Sequence, residues 1–391
     1  MNLQTDEVKF RLQRFQQLLN QHQIDLALII NPLNIFYFSG TFAKGFLLIS
    51  PKEVKLLINR PWERAKKETL IPCEPIKSLK ELPLIISSLR SKGSLGIEKE
   101  NIPVRDFLRY QALLEGYSFI AIDQLILETR AVKTPYEIEC IRKAGKMLDK
   151  ALKRALPHFK PGIKELEASA ILEKELRILG HPGLTRSLNG FELTFGYLIS
   201  GKEGLKATPS YTGEGGEGVP CFPGGASYKK ILKEDEPILI DFSGYHQGYY
   251  IDQTRMVSFK KLPYAHEVYQ GSLYILKELK EFIKPGLNGD EIFAKAKELA
   301  EKTGLGSYFM YSDGDLGFIG HGVGLQIDEP PVLGKKQKMT IKENMVIALE
   351  PKFHLPEVGV IGVEETFLVT KEGLKSLNTT STKWKILKRS V

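Results

Sequence analysis

Residues 237–259 read PILIDFSGYHQGYYIDQTRMVSF, and this stretch decides the fold of the second half of the chain. An apolar run, Ile238–Ile240, ends on Asp241, turn-forming residues follow, and a second β-rich run carries Asp252. The pattern is that of a β-hairpin. With the turn centred on His246-Gln247, the two aspartates face each other across an antiparallel pair, Cβ atoms about 5 Å apart. Two carboxylates opposed in apolar strands are costly unless a cation compensates or one of them holds a proton.

A second strand pair repeats the arrangement. MVIALEPKF (345–353) carries Glu350, and GVEETFLVT (362–370) carries Glu364, the two acids being symmetric about Glu357. Between the hairpins lies FIGHGVGLQIDEPP (318–331), whose glycines let backbone pass close to His321. Four carboxylates and one imidazole form a hard, oxygen-rich donor set that suits two Mn²⁺, Co²⁺, Fe²⁺ or Zn²⁺ ions better than a thiolate site would. Two carboxylate-bridged ions can generate hydroxide at neutral pH and clamp a tetrahedral intermediate. Arg255, in the DQTR run, is expected to anchor a metal carboxylate from behind.

The helices that precede the hairpins also echo one another. FKPGIKELEASAILEKELRILG (159–180) and IKPGLNGDEIFAKAKELAEKTG (283–304) each read as Lys-Pro-Gly, an aliphatic residue, a polar step and an amphipathic helix closed by glycine. A duplicated helix-plus-hairpin unit over 130–370 is expected, folded as one pseudo-two-fold α+β domain spanning 129–391. Residues 1–128 alternate helix and strand instead. A helix near 5–22 is followed by the strand 25–31, by the β-rich runs NIFYFSG, FLLIS and VKLLI, by helices near 84–89 and 104–114, and by a strand at 119–122. This predicts a separate α/β domain.

Composition sets the outer bounds. The chain has 391 residues, of which 42% are hydrophobic and 26% charged, as in globular domains with sizeable cores. A net charge of +8 invites a nucleic-acid reading, but the basic residues are interleaved with acids, as in KKETLIPCEPIKSLKEL (66–82). Such mixing is a solvated surface, so no nucleic-acid partner is expected. Three cysteines without CxxC spacing make neither a disulfide framework nor a zinc ribbon. The start, MNLQTDEVKFRLQRF, reads as an amphipathic helix rather than a secretion signal, and no apolar run is long enough to span a membrane. A cytoplasmic protein is expected.

ILIDFSGYHQGYYIDQTRMV, GHGVGLQIDEPP, MVIALEP and GVEETFLVT resemble the metal motifs of the pita-bread metallopeptidase family, which includes prolidase, aminopeptidase P, methionine aminopeptidase and the metal-free creatinase. The order Asp, Asp, His, Glu, Glu and the eleven-residue Asp spacing both match. By that resemblance Asp252 and Glu364 bridge two metals, Asp241 completes one site, and His321 with Glu350 completes the other. Glu350 is also the implied proton shuttle. RLQRFQQLLNQHQIDLALIINPLNIFYFSG is similar to the creatinase-type amino-terminal domain of the prolidase and aminopeptidase P branch. The resemblance thus implies an Xaa-Pro-type peptidase: metal-activated hydroxide attacks an amide bond in a short peptide, and the chain works as a homodimer.

The residues around the metals depart from the family pattern. The histidine expected before the first metal aspartate falls at or near Gly224, with Phe222 beside it. The second histidine, seven residues after the metal one, is Asp328, and the arginine two before the last metal glutamate is Gly362. Asp328 can only accept hydrogen bonds, so it points to a cationic or amine-bearing substrate, and His354 is the candidate to replace a lost histidine. These departures also leave open a non-peptidase hydrolase or lyase acting on a small zwitterionic C–N substrate.

Overall fold

The computed structural model describes residues 3–90, 92–188, 190, 192–210 and 212–388. The chain divides into two compact units, Met1–Arg130 and Ala131–Val391.

The amino-terminal unit is a six-stranded mixed sheet in the order Cys73–Pro75, Val54–Arg60, Lys44–Ile49, Leu26–Ile29, Gly93–Ile97, Tyr117–Ala121. Leu26, Leu28, Leu48, Leu57, Leu95 and Ile97 from adjacent strands form its core with Leu82 and Ile86 of the helix Leu82–Leu89. NIFYFSG is not the β-rich run expected of it: Pro32–Ser39 is a helix. The termini explain why. The Asn31 side chain accepts from Leu33 N, Pro32 stands at the first helical position, and Gly40 closes the helix at φ +84°. Capping chemistry outweighs the β-preference of Ile35, Phe36, Tyr37 and Phe38.

The second unit carries the duplication expected from the echo. The helices Glu165–Ile178 and Gly289–Lys302 are each 14 residues long. Each follows a Pro-Gly step whose glycine, Gly162 or Gly286, has positive φ, and each is followed by a positive-φ glycine, Gly180 or Gly304. The longer helices before them, Pro135–Ala155 and Pro263–Phe282, both begin at proline. One half places Ile238–Phe242 between Gly196–Ser200 and Thr254–Ser258, and the other places Val346–Leu349 between Phe318–Gly322 and Glu365–Thr370. In both halves the strand pair runs out into a small two-stranded ribbon, Gly244–His246 with Tyr249–Ile251 and Lys352–Leu355 with Gly359–Gly362. Among the described residues, no helix is long and apolar enough to cross a membrane.

The register of the first hairpin differs from the expected one by two residues. Asp241 is paired with Thr254, and the ribbon pairs Gly244 with Ile251, so Asp252 is not opposite Asp241. The turn residues are Gln247 and Gly248, at φ +52° and +95°. A two-residue hairpin turn whose twist matches its strands needs positive φ at both central positions, and glycine supplies the second without strain. Centring on His246 would have placed Gly248 in a strand. The second pair keeps its expected register, with Leu349 opposite Glu365 and Lys352 opposite Gly362, a symmetry that relates Glu350 to Glu364.

Candidate metal centre

Five expected ligands come together at the ends of the two strand pairs. Asp241 ends one central strand, and Asp252 lies just before the return strand. Glu350 and Glu364 flank the second pair, and His321 sits in Phe318–Gly322, opposite Ala348. Gly320 makes that placement possible, because a Cβ there would lie 2.0 Å from the Ala348 carbonyl oxygen. All five residues line one cavity of about 460 Å³, together with Phe195, Tyr197, Phe318 and Ile327. That volume suits a small-molecule or dipeptide ligand.

Ligand atoms of Asp252, His321 and Glu364 lie within 4.8 Å of one another, as a single cation would require. His321 Nε2 is 3.6 Å from Glu350 Oε1 and 3.8 Å from Glu364 Oε1. Glu364 Oε1 is buried with no hydrogen-bond partner among the described residues. A buried carboxylate oxygen without a partner is costly, and a divalent cation would satisfy it, so this side of the centre fits a metal ion. Burial, then the charges of Asp252, Asp241 and Glu350, push the Glu364 carboxyl well above the usual range. Burial, then Asp241 and Glu350, does the same to Asp252.

The opposite side holds a cation of the chain's own. Lys352, with a side chain only 1% exposed, places Nζ 2.5 Å from Glu214 Oε2, 2.8 Å from Asp241 Oδ2 and 2.9 Å from Glu350 Oε2. Glu364 Oε2 lies 3.8 Å away. Burial works to strip this lysine of its proton, but Asp241, Glu214, Glu350 and Glu364 together outweigh it and hold the ammonium well above the ordinary lysine range. Burial likewise opposes ionisation of Asp241, yet Lys352 and a 2.5 Å bond from Thr254 Oγ1 leave that carboxyl below its usual value. Glu214 is raised to about 8, by burial first and by Asp241 second.

Neither Lys352 nor Glu214 was singled out in the sequence. Glu214 lies in the glycine-rich stretch GEGGEG, which lacks the Lys-Ser/Thr of a phosphate loop and reads as a substrate-side loop, and that loop delivers its carboxylate to the centre. The available signal was Lys352 itself, a charge two residues beyond Glu350 in the buried KFHL strand.

Other expectations are corrected. Gly224 and Phe222 do not line the cavity; Gly224 packs against Tyr197, where a Cβ would meet the phenol oxygen at 2.7 Å. His354 does not line the cavity: it is buried in its strand near Lys352 and the Gly213 backbone, and burial followed by the charge of Lys352 pushes it down to about 4. Asp328 does line the cavity, but Oδ2 accepts from Ser187 Oγ and Oδ1 from Leu188 N, both at 2.6 Å. Its carboxylate ties down the cavity rim and is partly satisfied there, which weakens the case for a cationic substrate. Arg255 does not bond a ligand carboxylate. It donates to the main-chain carbonyl of Glu364 at 2.7 Å and to Glu365 Oε2 at 2.5 Å, holding the backbone that presents Glu364.

One histidine outside the expected set supports the cavity wall. His181 Nδ1 accepts from Gly183 N at 3.1 Å, so its proton sits on Nε2, 3.4 Å from Ser243 Oγ. Ser243 in turn contacts Thr185 Oγ1 at 2.7 Å, and both hydroxyl residues line the cavity. Burial, then the charge of Arg177, pushes His181 down to about 4 from an ordinary 6.5. The neutral folded-state ring therefore contributes stability present above pH 6.5 and lost as pH falls through 4. We expect His181→Gln to recover part of that loss, up to about 3 kcal/mol. Unfolding free energies at pH 7 and 4.5 check this; equal losses in both proteins would overturn it.

Residues 139–371 match the family described as metallopeptidase family M24, and residues 11–132 match the creatinase/prolidase N-terminal domain. The chain is 29% identical over 378 residues to a Xaa-Pro dipeptidase of Pyrococcus furiosus, covering 95% of this chain and 99% of that one. It is 28% identical over 385 residues to a Xaa-Pro dipeptidase of Pyrococcus horikoshii, covering 97% and 99%. Among solved structures it is similar to the prolidase from Pyrococcus horikoshii (27% identity, TM-score 0.78, 95% of this chain and 99% of that one). It is also similar to an X-Pro aminopeptidase from Thermotoga maritima (25%, 0.79, 97% and 99%).

Proposed function

The chain belongs to metallopeptidase family M24, and on that premise we propose that it is a metal-dependent peptidase hydrolysing short peptides at a bond involving proline. The observation that carries the reading is the convergence of Asp252, His321 and Glu364, with the unpartnered Glu364 Oε1, in a cavity of dipeptide size. The names borne by the Pyrococcus relatives supply the substrate class.

In this reading Asp252, His321 and Glu364 hold a divalent ion, for which Mn²⁺, Co²⁺, Fe²⁺ and Zn²⁺ all suit the donors. Such an ion supplies Lewis-acid polarisation and a lowered pKa for water. The remaining work falls to the chain. Glu350 turns Oε1 toward His321 and Oε2 toward Lys352, and we assign to its carboxylate the transfer of a proton from the attacking water to the departing nitrogen. Phe195, Phe318 and Ile327 form an apolar wall for a proline ring. The Tyr197 hydroxyl, pushed up to about 12 by burial and then by Glu214 and Asp241, stays protonated and able to donate at neutral pH. The chain works in the cytoplasm as a homodimer, the assembly its family resemblance suggests.

Hydrolysis of Ala-Pro, Lys-Pro and Leu-Ala, with chelator and with added divalent ions, tests the reading. We expect cleavage of both proline dipeptides within about tenfold of one another, since Asp328 is already engaged. Chelator should abolish it and divalent ions restore it. Absence of cleavage across the panel at every metal loading overturns the function.

A further inference from the structure

The metal centre presents two cation positions, and the chain fills one of them covalently. Glu350 bonds Lys352 through Oε2 at 2.9 Å and turns Oε1 to within 3.6 Å of His321 Nε2. Glu364 has the same orientation at longer range, Oε2 accepting from Thr254 Oγ1 and lying 3.8 Å from Lys352 Nζ, Oε1 lying 3.8 Å from His321 Nε2. Two acids that each turn one oxygen to either side are arranged as bridges between two positive charges. On the His321 side the charge must come from outside. On the Asp241 side it is already present as the Lys352 ammonium.

We propose that Lys352 replaces one of the two metal ions, so that the protein binds a single divalent ion, on Asp252, His321 and Glu364. The proposal rests on the metal-site reading above but not on the identity of the substrate. An ammonium has three N–H donors and no acceptor, and here all three are matched by carboxylates, from Glu214, Asp241 and Glu350. An ion bound to Asp241 and Glu350 needs metal–oxygen distances of about 2.0–2.2 Å. It would have to sit against Nζ, which lies 2.8 and 2.9 Å from those same two residues. Two cations cannot share that space.

The surroundings are shaped for the lysine rather than for an ion. A Cβ at residue 213 would lie 2.1 Å from Glu350 Oε2 and 2.8 Å from Nζ. A Cβ at residue 362 would lie 2.4 Å from Lys352 Cγ. Glycine at both positions gives the aliphatic stem and the ammonium their room. Gly362 also stands where the family resemblance leads one to expect an arginine, whose bulk and charge could not coexist with this side chain. Glu214, the neighbour of Gly213, supplies a third carboxylate that completes the ammonium's shell. Lysine, the third acid and the two glycines thus form one mutually accommodating set.

The test is the number of ions bound, read without any assay of hydrolysis. Protein loaded with excess Mn²⁺ and desalted should carry one ion per chain by elemental analysis. Its electron paramagnetic resonance should show isolated Mn²⁺ at saturation. Lys352→Ala should take up a second ion and give the spectrum of a coupled pair. Two ions in the wild type, none at all, or a spin-coupled pair at saturation overturns the proposal, as does a folded Lys352→Ala that still binds only one. If Lys352→Ala does not fold, the wild-type stoichiometry and spectrum decide by themselves. One bound ion with no peptide cleaved would overturn the proposed function and leave the cation replacement standing.

Discussion

Asp252→Asn is expected to lower kcat/KM on a proline dipeptide by about three orders of magnitude, roughly 4 kcal/mol of transition-state stabilisation. The same substitution should leave the metal-free protein at least as stable as the wild type. The two effects have one cause. Asp252 is buried and faces the charges of Asp241 and Glu350, so without a cation its carboxyl is driven well above its ordinary pKa. A carboxyl raised in this way costs folding stability as pH climbs above its unfolded value, because the native state then prefers a proton that solvent removes. Asparagine removes that cost and keeps the bond from Gln253 N to Oδ1. It also removes one of the three ligands able to hold the ion, and one of the two that carry charge. Elemental analysis, kinetics and denaturant unfolding in chelator measure the three consequences; an active, metal-loaded Asp252→Asn would remove Asp252 from the centre.

Lys352→Met should destabilise the metal-free protein by about 3–5 kcal/mol, the usual consequence of removing one partner from a buried ion cluster. Methionine fills much of the lysine's volume, so the loss reports charge rather than a cavity. Glu214, Asp241 and Glu350 would be left facing one another without the ammonium that now binds all three. Excess divalent ion should restore much of this stability in the variant, because the vacated position becomes open to a metal and binding to the folded state stabilises it. Unfolding midpoints in chelator and in millimolar Mn²⁺ compare the two proteins. A variant in chelator within about 1 kcal/mol of wild type would show that the ammonium does not hold the cluster together.

Much of the centre was legible from the chain because its parts follow local rules. Asp241, Asp252, Glu350 and Glu364 sit at strand ends whose apolar runs are continuous in sequence, and His321 is marked by flanking glycines. The mistakes have physical reasons. The helix Pro32–Ser39 was masked by aromatic and β-branched residues whose preference is weaker than its caps. Asp328 reads as a free acceptor in the chain, but Ser187 and Leu188, 141 and 140 residues away, already donate to its two oxygens. Position along the chain does not reveal whether Gly224 or His354 reaches the cavity, because that depends on how the loop and strand pack, and neither residue lines it.

The sequence by itself determined the two-unit organisation, the duplicated helix-and-hairpin plan and the order of the five metal-type side chains. Periodicity, capping residues and strand alternation act over a few neighbours and can be read without coordinates. Only the tertiary structure decided which charges meet. Lys352 and Glu214 are 138 residues apart, and nothing local to either announces the other. Their pairing depends on a glycine-rich loop folding back onto a strand end, where low polarity makes an unpaired charge costly and so selects the partner. The first hairpin makes the same point on a smaller scale. Its residues were evident, but the positive φ of Gln247 and Gly248 moved the register by two and placed Thr254, not Asp252, opposite Asp241.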